Sequence, residues 1–282
     1  MKARIIKIIS NQYTVLTEDK TRLLCVAMGK VRLQTTPFVG DLVEIERYGD
    51  KVGIEKILER KNVLVRPAIA NVDQAIIVMS SKDPDFSTTL VDRLSFLIQI
   101  ANIQPILCIT KMDLVKQNDE LYKIIDDYIK SGYTCLLCGK DSVDDELASV
   151  LCDKITVLTG QSGVGKSTLL NSLDPSFELR TQETSKALGR GKHTTRHTEL
   201  HEVAGGWVAD TPGFSSLDFT KTTPIECANS LFEFKPYIGK CKFRDCIHVN
   251  EPGCAIKEAV EKQEVSKIRY ENYLQCLPLM KK

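Results

Sequence analysis

GQSGVGKST, at residues 160–168, is the stretch of sequence that decides the fold, because it matches the G-x-x-x-x-G-K-[ST] pattern of a phosphate-binding loop. A buried strand is predicted to end at Thr159 and a helix to start near Lys166, which is the setting that this loop requires. An ordinary glycine-rich turn between a strand and a helix is the alternative interpretation. The flanking pattern favours the phosphate loop.

Each residue type in this loop suits nucleotide binding. The three glycines allow backbone angles that point successive amides at phosphate oxygens. We expect Lys166 to bridge the β- and γ-phosphates and the Ser167 hydroxyl to coordinate Mg²⁺. The expected nucleotide contacts are Gly160, Gln161, Ser162, Gly163, Val164, Gly165, Lys166, Ser167 and Thr168.

A second motif, Thr110-Lys111-Met112-Asp113, directly follows an apolar strand predicted over residues 105–109. A carboxylate at Asp113 can accept hydrogen bonds from both N1–H and the 2-amino group of guanine, and adenine does not present these two donors together. The stem of Lys111 can lie against the base. Alone, such a tetrapeptide is more often a polar loop. It indicates a base-binding site only in combination with the phosphate loop.

A third motif, Asp210-Thr211-Pro212-Gly213, follows a strand predicted over residues 206–209. Asp210 can hold the water shell of Mg²⁺, and the Gly213 amide can reach a γ-phosphate, although the same letters also describe a simple turn. Together the three motifs predict a GTPase. A phosphate-loop ATPase or kinase would share residues 160–167 but would leave Asp113 unexplained.

The order of the motifs is unusual. In GTPases of the Ras type the phosphate loop comes first, whereas here the T-K-x-D motif and a candidate final base-contacting segment, Cys138-Gly139-Lys140, precede it. A circular permutation of this kind preserves a fold when the old termini lie close together. Its consequence is that the third motif is followed at once by the C-terminal region.

The segments around these motifs predict a multidomain chain. Five short strands, at residues 2–9, 13–18, 21–26, 41–48 and 51–57, predict a small OB-type β-barrel. Its connection at residues 29–40, with Lys30 and Arg32, is expected to contact nucleic acid, while a barrel used only for packing is the alternative. The following segment predicts an α/β domain, in which strands alternate with helices. The predicted strands are 74–80, 105–110, 134–138 and 154–159, and the predicted helices are 88–101, 120–130 and 144–150.

Charge and cysteine content bound the function. The 282 residues carry a net charge of +1, but residues 1–66 hold +5, residues 235–282 hold +4 and the middle holds −8. Basic ends suit a polyanion such as RNA, and solvated lysine-rich faces are the alternative. The N-terminus lacks the apolar stretch of a signal peptide or membrane helix, so we expect a cytoplasmic protein with no membrane partner. Its ten cysteines are then reduced thiols or metal ligands.

Three of these cysteines cluster with a histidine near the C-terminus. Cys241, Cys246, His248 and Cys254 form C-x4-C-x-H-x5-C, which supplies three thiolates and one imidazole for a closed, structural zinc site. Coincidental buried cysteines are the alternative, because the spacing departs from the commoner C-x2-C pairs. Cys135 and Cys138 also form C-x-x-C, but we interpret them as packing residues, with Cys138 near guanine.

The permuted motif order and the cysteine-histidine cluster make the chain resemble the RsgA/YjeQ family of ribosome-small-subunit-dependent GTPases. The segments RPAIANVDQ at 66–74 and GRGKHTTR at 189–196 carry the same resemblance. It implies an OB-fold RNA-binding domain at 1–64, a circularly permuted GTPase domain at 65–221 and a mainly helical zinc-binding domain at 222–282. It also implies a role in late maturation of the small (30S) ribosomal subunit, with hydrolysis stimulated by that subunit. The expected partners are GTP or GDP, the small subunit and its 16S rRNA, the expected cofactors are one structural zinc and Mg²⁺ with GTP, and the protein is expected to be a monomer.

The residue that would position the attacking water differs from that of Ras-type enzymes. Phe214 stands where Ras-like enzymes have a water-orienting glutamine, so intrinsic hydrolysis is expected to be slow. We expect Thr195 to complete Mg²⁺ coordination, and His193 or His197 to position the water once the subunit orders this loop. Each histidine could instead be exposed or face RNA. The expected catalytic set is Lys166, Thr195, Asp210, Gly213, His193 and His197.

The basic run at residues 186–196 overlaps the expected Mg²⁺-coordinating threonine. Its small and cationic residues describe a flexible loop that is expected to sense rRNA. A loop that is merely disordered without nucleotide is the alternative. A further alternative for the whole protein is an RNA-binding assembly scaffold, controlled by nucleotide, whose hydrolysis is negligible.

Overall fold

The computed structural model describes residues 1–28, 35–65, 68–139, 144–177, 199–209 and 218–281. The chain divides into two compact units. Both are built from separate stretches of sequence: Met1–Gln74, Asp144–Leu158 and Lys166–Gly213 form one, and Ala75–Val143, Thr159–Gly165 and Phe214–Lys282 form the other. Because this division follows contacts, the domain boundaries given above remain a prediction.

The first unit contains a closed five-stranded barrel with strand order β1-β2-β3-β5-β4. Alternating apolar residues point inward, and Ile5, Val15, Val43 and Ile54 are fully buried in its core. The predicted OB-type barrel is therefore confirmed, with several strand ends shifted by one residue. The strands are β1 (Lys2–Ile9), β2 (Gln12–Thr17), β3 (Arg22–Ala27), β4 (Leu42–Tyr48) and β5 (Lys51–Ile57). Part of the predicted contact loop, residues 29–34 with Lys30 and Arg32, lies outside the described residues.

A short hairpin follows the barrel and was not predicted. Its strands, β6 (Val63–Val65) and β7 (Ala68–Ala70), have only three residues each, too few for an alternating pattern to show in the sequence. Val39 forms an isolated bridge to Ile69, which brings the preceding loop against the hairpin. Gly40 is required there, since it has φ +90° and a Cβ would lie 2.1 Å from the Ala70 carbonyl oxygen.

Six strands form the second sheet, in the order β10-β9-β8-β11-β13-β12. Strand β8 is buried along its whole length, as expected for a central strand covered on both faces. Strand β12 pairs antiparallel with β13 and was not predicted. The strands are β8 (Gln74–Ser80), β9 (Gln104–Thr110), β10 (Thr134–Leu137), β11 (Ile155–Thr159), β12 (Leu200–Val203) and β13 (Gly206–Ala209). The helices between them are α1 (Thr88–Ile100), α2 (Glu120–Lys130), α3 (Asp144–Leu151) and α4 (Lys166–Leu173).

The C-terminal region is mainly helical, as predicted. It contains α5 (Pro224–Ser230), α6 (Ala255–Glu261) and α7 (Lys267–Cys276), with 3-10 turns at Lys235–Tyr237 and Leu277–Leu279. A capping box of Thr223 and Glu226 starts α5. The apolar core of the C-terminal region includes Phe219, Leu231, Phe234, Ile256 and Tyr273, packed with Phe96 of α1. Within the described ranges, no helix is both long and apolar enough to cross a membrane.

The last helix is fixed by a buried arginine. Arg269 is 1% exposed, pairs with Asp127 at 2.6 Å and Glu233 at 3.2 Å, and its guanidinium carbon lies 3.8 Å from the centre of the Tyr128 ring. Desolvation raises the pKa of Glu233 to about 8. Tyr270 and Tyr273 donate from their hydroxyls to the carbonyls of His248 and Ile247. The helix therefore packs against the segment that carries the metal ligands.

Candidate nucleotide site and metal centre

The T-K-x-D motif forms a tight turn at the end of β9. Thr110 is the last residue of the strand, Lys111 has the left-handed backbone angles φ 58° and ψ 33°, and a 3-10 turn runs over Met112–Leu114. Met112 is buried beneath this turn, whereas Asp113 is exposed. The Asp113 carboxylate is therefore presented to solvent, where a base could approach it.

The candidate final base-contacting segment lies against the same turn. The amide of Met112 donates to the Cys138 carbonyl at 3.0 Å, and the Cys138 amide donates to the Ile109 carbonyl at 2.7 Å. Cys138 is 4% exposed, and its Sγ lies 3.2 Å from that of Cys108. The structure thus brings Cys138 to the T-K-x-D motif, Gly139 is the next residue along the chain, and Lys140 lies outside the described residues.

Burial determines the pKa of Cys135, the other cysteine of the C-x-x-C pair. Desolvation raises the pKa of Cys135 to about 11, so its thiol is protonated at neutral pH. Redox-active C-x-x-C pairs instead have a thiol with a lowered pKa. The environment of Cys135 therefore supports the interpretation as a packing residue.

The phosphate loop has the backbone that its sequence predicts. Gly160, Gly163 and Gly165 have φ of 135°, 81° and 95°, angles that side-chain-bearing residues rarely adopt. At Gly160 a Cβ would also lie 2.1 Å from the Val78 carbonyl oxygen. Gln161 and Ser162 are exposed between these glycines, and Val164 is buried.

The Thr110 hydroxyl joins the phosphate loop to the T-K-x-D motif. Thr110 donates from Oγ1 to the Val164 carbonyl at 2.6 Å, and the carbonyl of Met79 lies 3.3 Å from the same oxygen. Thr110 and Val164 are 54 positions apart in sequence. The bond fixes the distance between the turn that carries Asp113 and the loop expected to hold phosphate.

Helix α4 begins directly after the loop. Ser167 and Thr168 are exposed in its first turn, so the Ser167 hydroxyl presents an oxygen of the kind that Mg²⁺ prefers. Partial burial lowers the pKa of Lys166. The remaining expected catalytic residues, Thr195, Asp210, Gly213, His193 and His197, lie outside the described residues.

The four predicted metal ligands converge on one point. Their ligand atoms all lie within 4.8 Å of one another. Nδ1 of His248 is 3.7 Å from Sγ of Cys241, 3.4 Å from that of Cys246 and 3.3 Å from that of Cys254. Neighbouring ligands of a tetrahedral zinc with ordinary bond lengths lie about 3.6 Å apart. The donor set and its spacing therefore fit a closed zinc site.

The protonation states also suit a metal. Burial raises the pKa of Cys246 to about 12 and raises that of Cys254, so both thiols remain protonated at neutral pH unless a cation stabilises the thiolates. Burial lowers the pKa of His248, which keeps its imidazole neutral and able to donate a lone pair. Binding of zinc would release protons from the cysteines.

Residues around the ligands hold the loop in shape and could not be identified from spacing. Glu251 accepts from the amides of Ile247 and Val249, both at 2.8 Å. The Ala255 amide donates to Sγ of Cys241 at 3.3 Å. The position of Glu251 between two ligands is the only signal that the sequence offers for this role.

Comparisons with known proteins agree with these geometries. A family model described as RsgA GTPase matches residues 57–220. "Small ribosomal subunit biogenesis GTPase RsgA 2" of Oceanobacillus iheyensis is 50% identical over 98% of this chain and 96% of that protein. "Small ribosomal subunit biogenesis GTPase RsgA" of Bacillus subtilis is 45% identical over 99% of this chain and 97% of that protein.

Solved structures give the same result. The chain is similar to YloQ, described as a circularly permuted GTPase, with TM-score 0.84, 40% identity and coverage of 98% of this chain and 93% of that one. YjeQ from Thermotoga maritima also gives TM-score 0.84, with 35% identity and coverage of 98% and 97%. The predicted permuted GTPase fold is thereby confirmed. With a family model over more than half its length and relatives of this identity over nearly all of it, the chain belongs to the RsgA GTPase family.

Proposed function

We propose that the protein is a GTP hydrolase that acts in late maturation of the small (30S) ribosomal subunit, binds its 16S rRNA and is stimulated by the subunit. The observation that carries the nucleotide part is the Thr110–Val164 hydrogen bond, which ties a base-selecting turn to a phosphate loop. The ribosomal part rests on the names of relatives that match almost the whole chain.

In this proposal, separate loops bind the base and the phosphates of GTP. Asp113 accepts from N1–H and the 2-amino group of guanine, with Cys138, Gly139 and Lys140 close to the base. The amides of residues 160–165 and the Lys166 ammonium bind the phosphates. An adenine nucleotide would leave the Asp113 carboxylate without its two donors, and this makes the site selective for guanine.

Magnesium enters this scheme as the ion that neutralises charge on the β- and γ-phosphates. Ser167, Thr195 and Asp210 are the proposed oxygen donors to the ion or its waters, and Gly213 is the proposed γ-phosphate contact. Since Phe214 follows that glycine, the water must be positioned by another group, for which we propose His193 or His197. This is why the basal rate is expected to be low.

The zinc-binding module offers a surface suited to RNA. Residues 235–244 contain four cationic side chains, and two of them lie beside exposed or half-exposed aromatic rings. Nζ of Lys240 lies 5.7 Å from the centre of the Tyr237 ring, and Nζ of Lys242 lies 5.6 Å from that of Phe243, which is 42% exposed. Interleaved cations and aromatic rings bind phosphates and stack on unpaired bases. In this role zinc is structural, and the proposed protein is a cytoplasmic monomer.

Phosphate release from GTP tests the proposal. It is measured with the purified protein alone and with added small ribosomal subunits, and the Lys166→Ala variant corrects for contaminating activity. A slow basal rate that rises strongly with subunits, and no comparable release from ATP, is the expected result. Preference for ATP would contradict the GTPase assignment.

A nucleotide-controlled RNA-binding scaffold is the second candidate, favoured by the phenylalanine at position 214. It predicts tight GTP binding with a turnover that stays negligible when subunits are added. The same measurement therefore separates the two functions.

A further inference from the structure

Four hydrogen bonds attach the T-K-x-D turn to the segment that follows β8, at residues 81–83. The Ser81 amide donates to the Thr110 carbonyl at 3.0 Å, and Ser81 Oγ donates to the Lys111 carbonyl at 2.7 Å. In the other direction, Lys111 Nζ donates to the Lys82 carbonyl at 3.2 Å and to the Asp83 carbonyl. Ser81 is 7% exposed, so its hydroxyl is largely shielded from water.

The turn needs such support because of its backbone. Lys111 is not a glycine, yet it has φ 58°, a left-handed conformation that places its Cβ too close to the following carbonyl oxygen. That carbonyl is the group to which Ser81 donates. The amide of Leu114 also donates to it at 3.0 Å, closing the 3-10 turn in which Asp113 lies. Ser81 thus holds the oxygen whose position sets the direction of the turn.

We propose that Ser81 is a positioning residue for guanine recognition, acting through the Lys111 carbonyl to hold the Asp113 carboxylate where it can accept two hydrogen bonds from the base. The inference rests on the proposed binding of guanine by Asp113. Ser81 touches neither the base nor the phosphates in this scheme. Its effect is confined to the geometry of the turn, while the Thr110–Val164 bond sets the distance of the turn from the phosphate loop.

The proposal predicts a specific loss. Removing the Ser81 hydroxyl leaves the hydrogen bond from the Ser81 amide to the Thr110 carbonyl intact but frees the Lys111 carbonyl to move. The acceptance of two adjacent donors by one carboxylate is more sensitive to a tilt than the acceptance of one. The 2-amino group of guanine, which hypoxanthine lacks, is therefore the contact expected to weaken.

The test compares the affinities of GDP and IDP, measured by titration calorimetry with Mg²⁺ present, for the wild type and three variants. Ser81→Ala removes the hydroxyl and Ser81→Thr keeps it. Ser95→Ala is the matched control: Ser95 is fully buried in the same unit, and its hydroxyl lies 2.8 Å from that of Tyr133. Melting temperatures are recorded for all four proteins.

Loss of one hydrogen bond to the turn is expected to weaken GDP binding about tenfold in Ser81→Ala and to lower the ratio of GDP to IDP affinity by about threefold or more. Ser81→Thr should restore the ratio of GDP to IDP affinity. Ser95→Ala should lower the melting temperature but leave this ratio unchanged. An unchanged ratio in Ser81→Ala would overturn the proposal. If the wild type itself bound IDP as tightly as GDP, guanine recognition by Asp113 would fail instead, which is a distinguishable result.

Discussion

The cysteine-histidine metal cluster and the T-K-x-D turn are two candidate sites built in opposite ways. All four metal ligands lie within residues 241–254, three of them are buried, and the site is made of side-chain atoms that face one another. The turn is held by main-chain groups from residues 81–83, 138 and 164 and by the Ser81 hydroxyl, while the Asp113 carboxylate is exposed. One site is local in sequence, and the other is assembled from distant segments.

This difference determines what each site tolerates. Buried thiols packed around an imidazole are favourable only when a dication stabilises the thiolates, so loss of one ligand removes the reason for the arrangement. A main-chain scaffold survives the loss of a single side chain and changes in geometry instead. Mutations in the first site are therefore expected to abolish structure, and those in the second to change selectivity.

The largest effect is expected for Cys246→Ser. Because Cys246 is one of four ligands in a closed site, bound zinc should fall from one ion per chain to almost none, and the C-terminal module should become sensitive to protease. Structural zinc sites contribute on the order of 10 kcal/mol to the folding of small modules. Metal analysis and limited proteolysis measure both effects.

Cys227→Ser is the matched control, since Cys227 is also buried but lies outside the metal cluster. It should retain zinc. Full zinc content in Cys246→Ser would show that Cys246 is not a ligand, and absence of zinc from the wild type would show that the cluster is only a group of packed cysteines.

The next effect concerns the arginine that holds α7 beside the metal cluster. Arg269→Ala removes the cation beside the buried Glu233 and the partly exposed Asp127, and it also removes the packing of the guanidinium on the Tyr128 ring. The free energy of unfolding should fall by about 3–5 kcal/mol. Urea unfolding followed by circular dichroism measures it. Lys267→Ala on the same helix removes an exposed pair with Glu271 at 3.8 Å and should cost about 0.5 kcal/mol or less. Equal costs for the two variants would contradict this account.

The basic and aromatic surface of the metal-binding module is expected to have a moderate effect. Replacing Lys240, Lys242 and Arg244 by glutamine should weaken binding to small subunits by about tenfold or more at low salt and flatten its salt dependence. GTP affinity should not change. Co-sedimentation at several salt concentrations measures the binding.

A control of equal charge uses glutamine at Lys257, Lys262 and Lys267, which belong to α6, its C-terminal end and α7. If both triple variants lose the same affinity, the effect is net charge and not this surface.

The smallest effect is a pH dependence of stability. Desolvation raises the pKa of Glu233 to about 8, with Arg269 opposing it and Asp92 adding to it, and Tyr133 and Asp127 also lie close to this cluster. Because the folded state binds the proton more tightly than the unfolded state, the stabilisation is complete below the unfolded pKa and is lost as the pH rises through about 8. Unfolding free energy should fall by about 1 kcal/mol per pH unit between pH 6 and pH 8.

Glu233→Gln should flatten this pH profile, measured by urea unfolding at constant zinc. Proton release from zinc-binding thiols acts in the opposite direction, because it strengthens metal binding as the pH rises. A profile with the same downward slope in Glu233→Gln would show that another group is responsible.

The sequence predicted what depends on local patterns. Alternation identified the barrel, the phosphate loop identified the strand and helix beside it, and spacing identified the four metal ligands before their atoms were seen to converge. It could not predict the role of Ser81, because a serine at a strand end resembles any other and its partner is 30 residues away. Arg269 was equally hidden, since a single arginine in a helix is usually exposed. Strands of three or four residues, such as β6, β7 and β12, were too short to leave a periodic signal.

The affinities of GDP and XDP for the wild type and Asp113→Asn test most directly whether the T-K-x-D turn selects the base. An amide at position 113 can donate to the 2-oxygen of xanthine but cannot accept both guanine donors, so the variant should lose about 100-fold or more in GDP affinity and gain in XDP affinity. Such an exchange of preference is the result that this account predicts. A variant that binds GDP as tightly as the wild type does would contradict it.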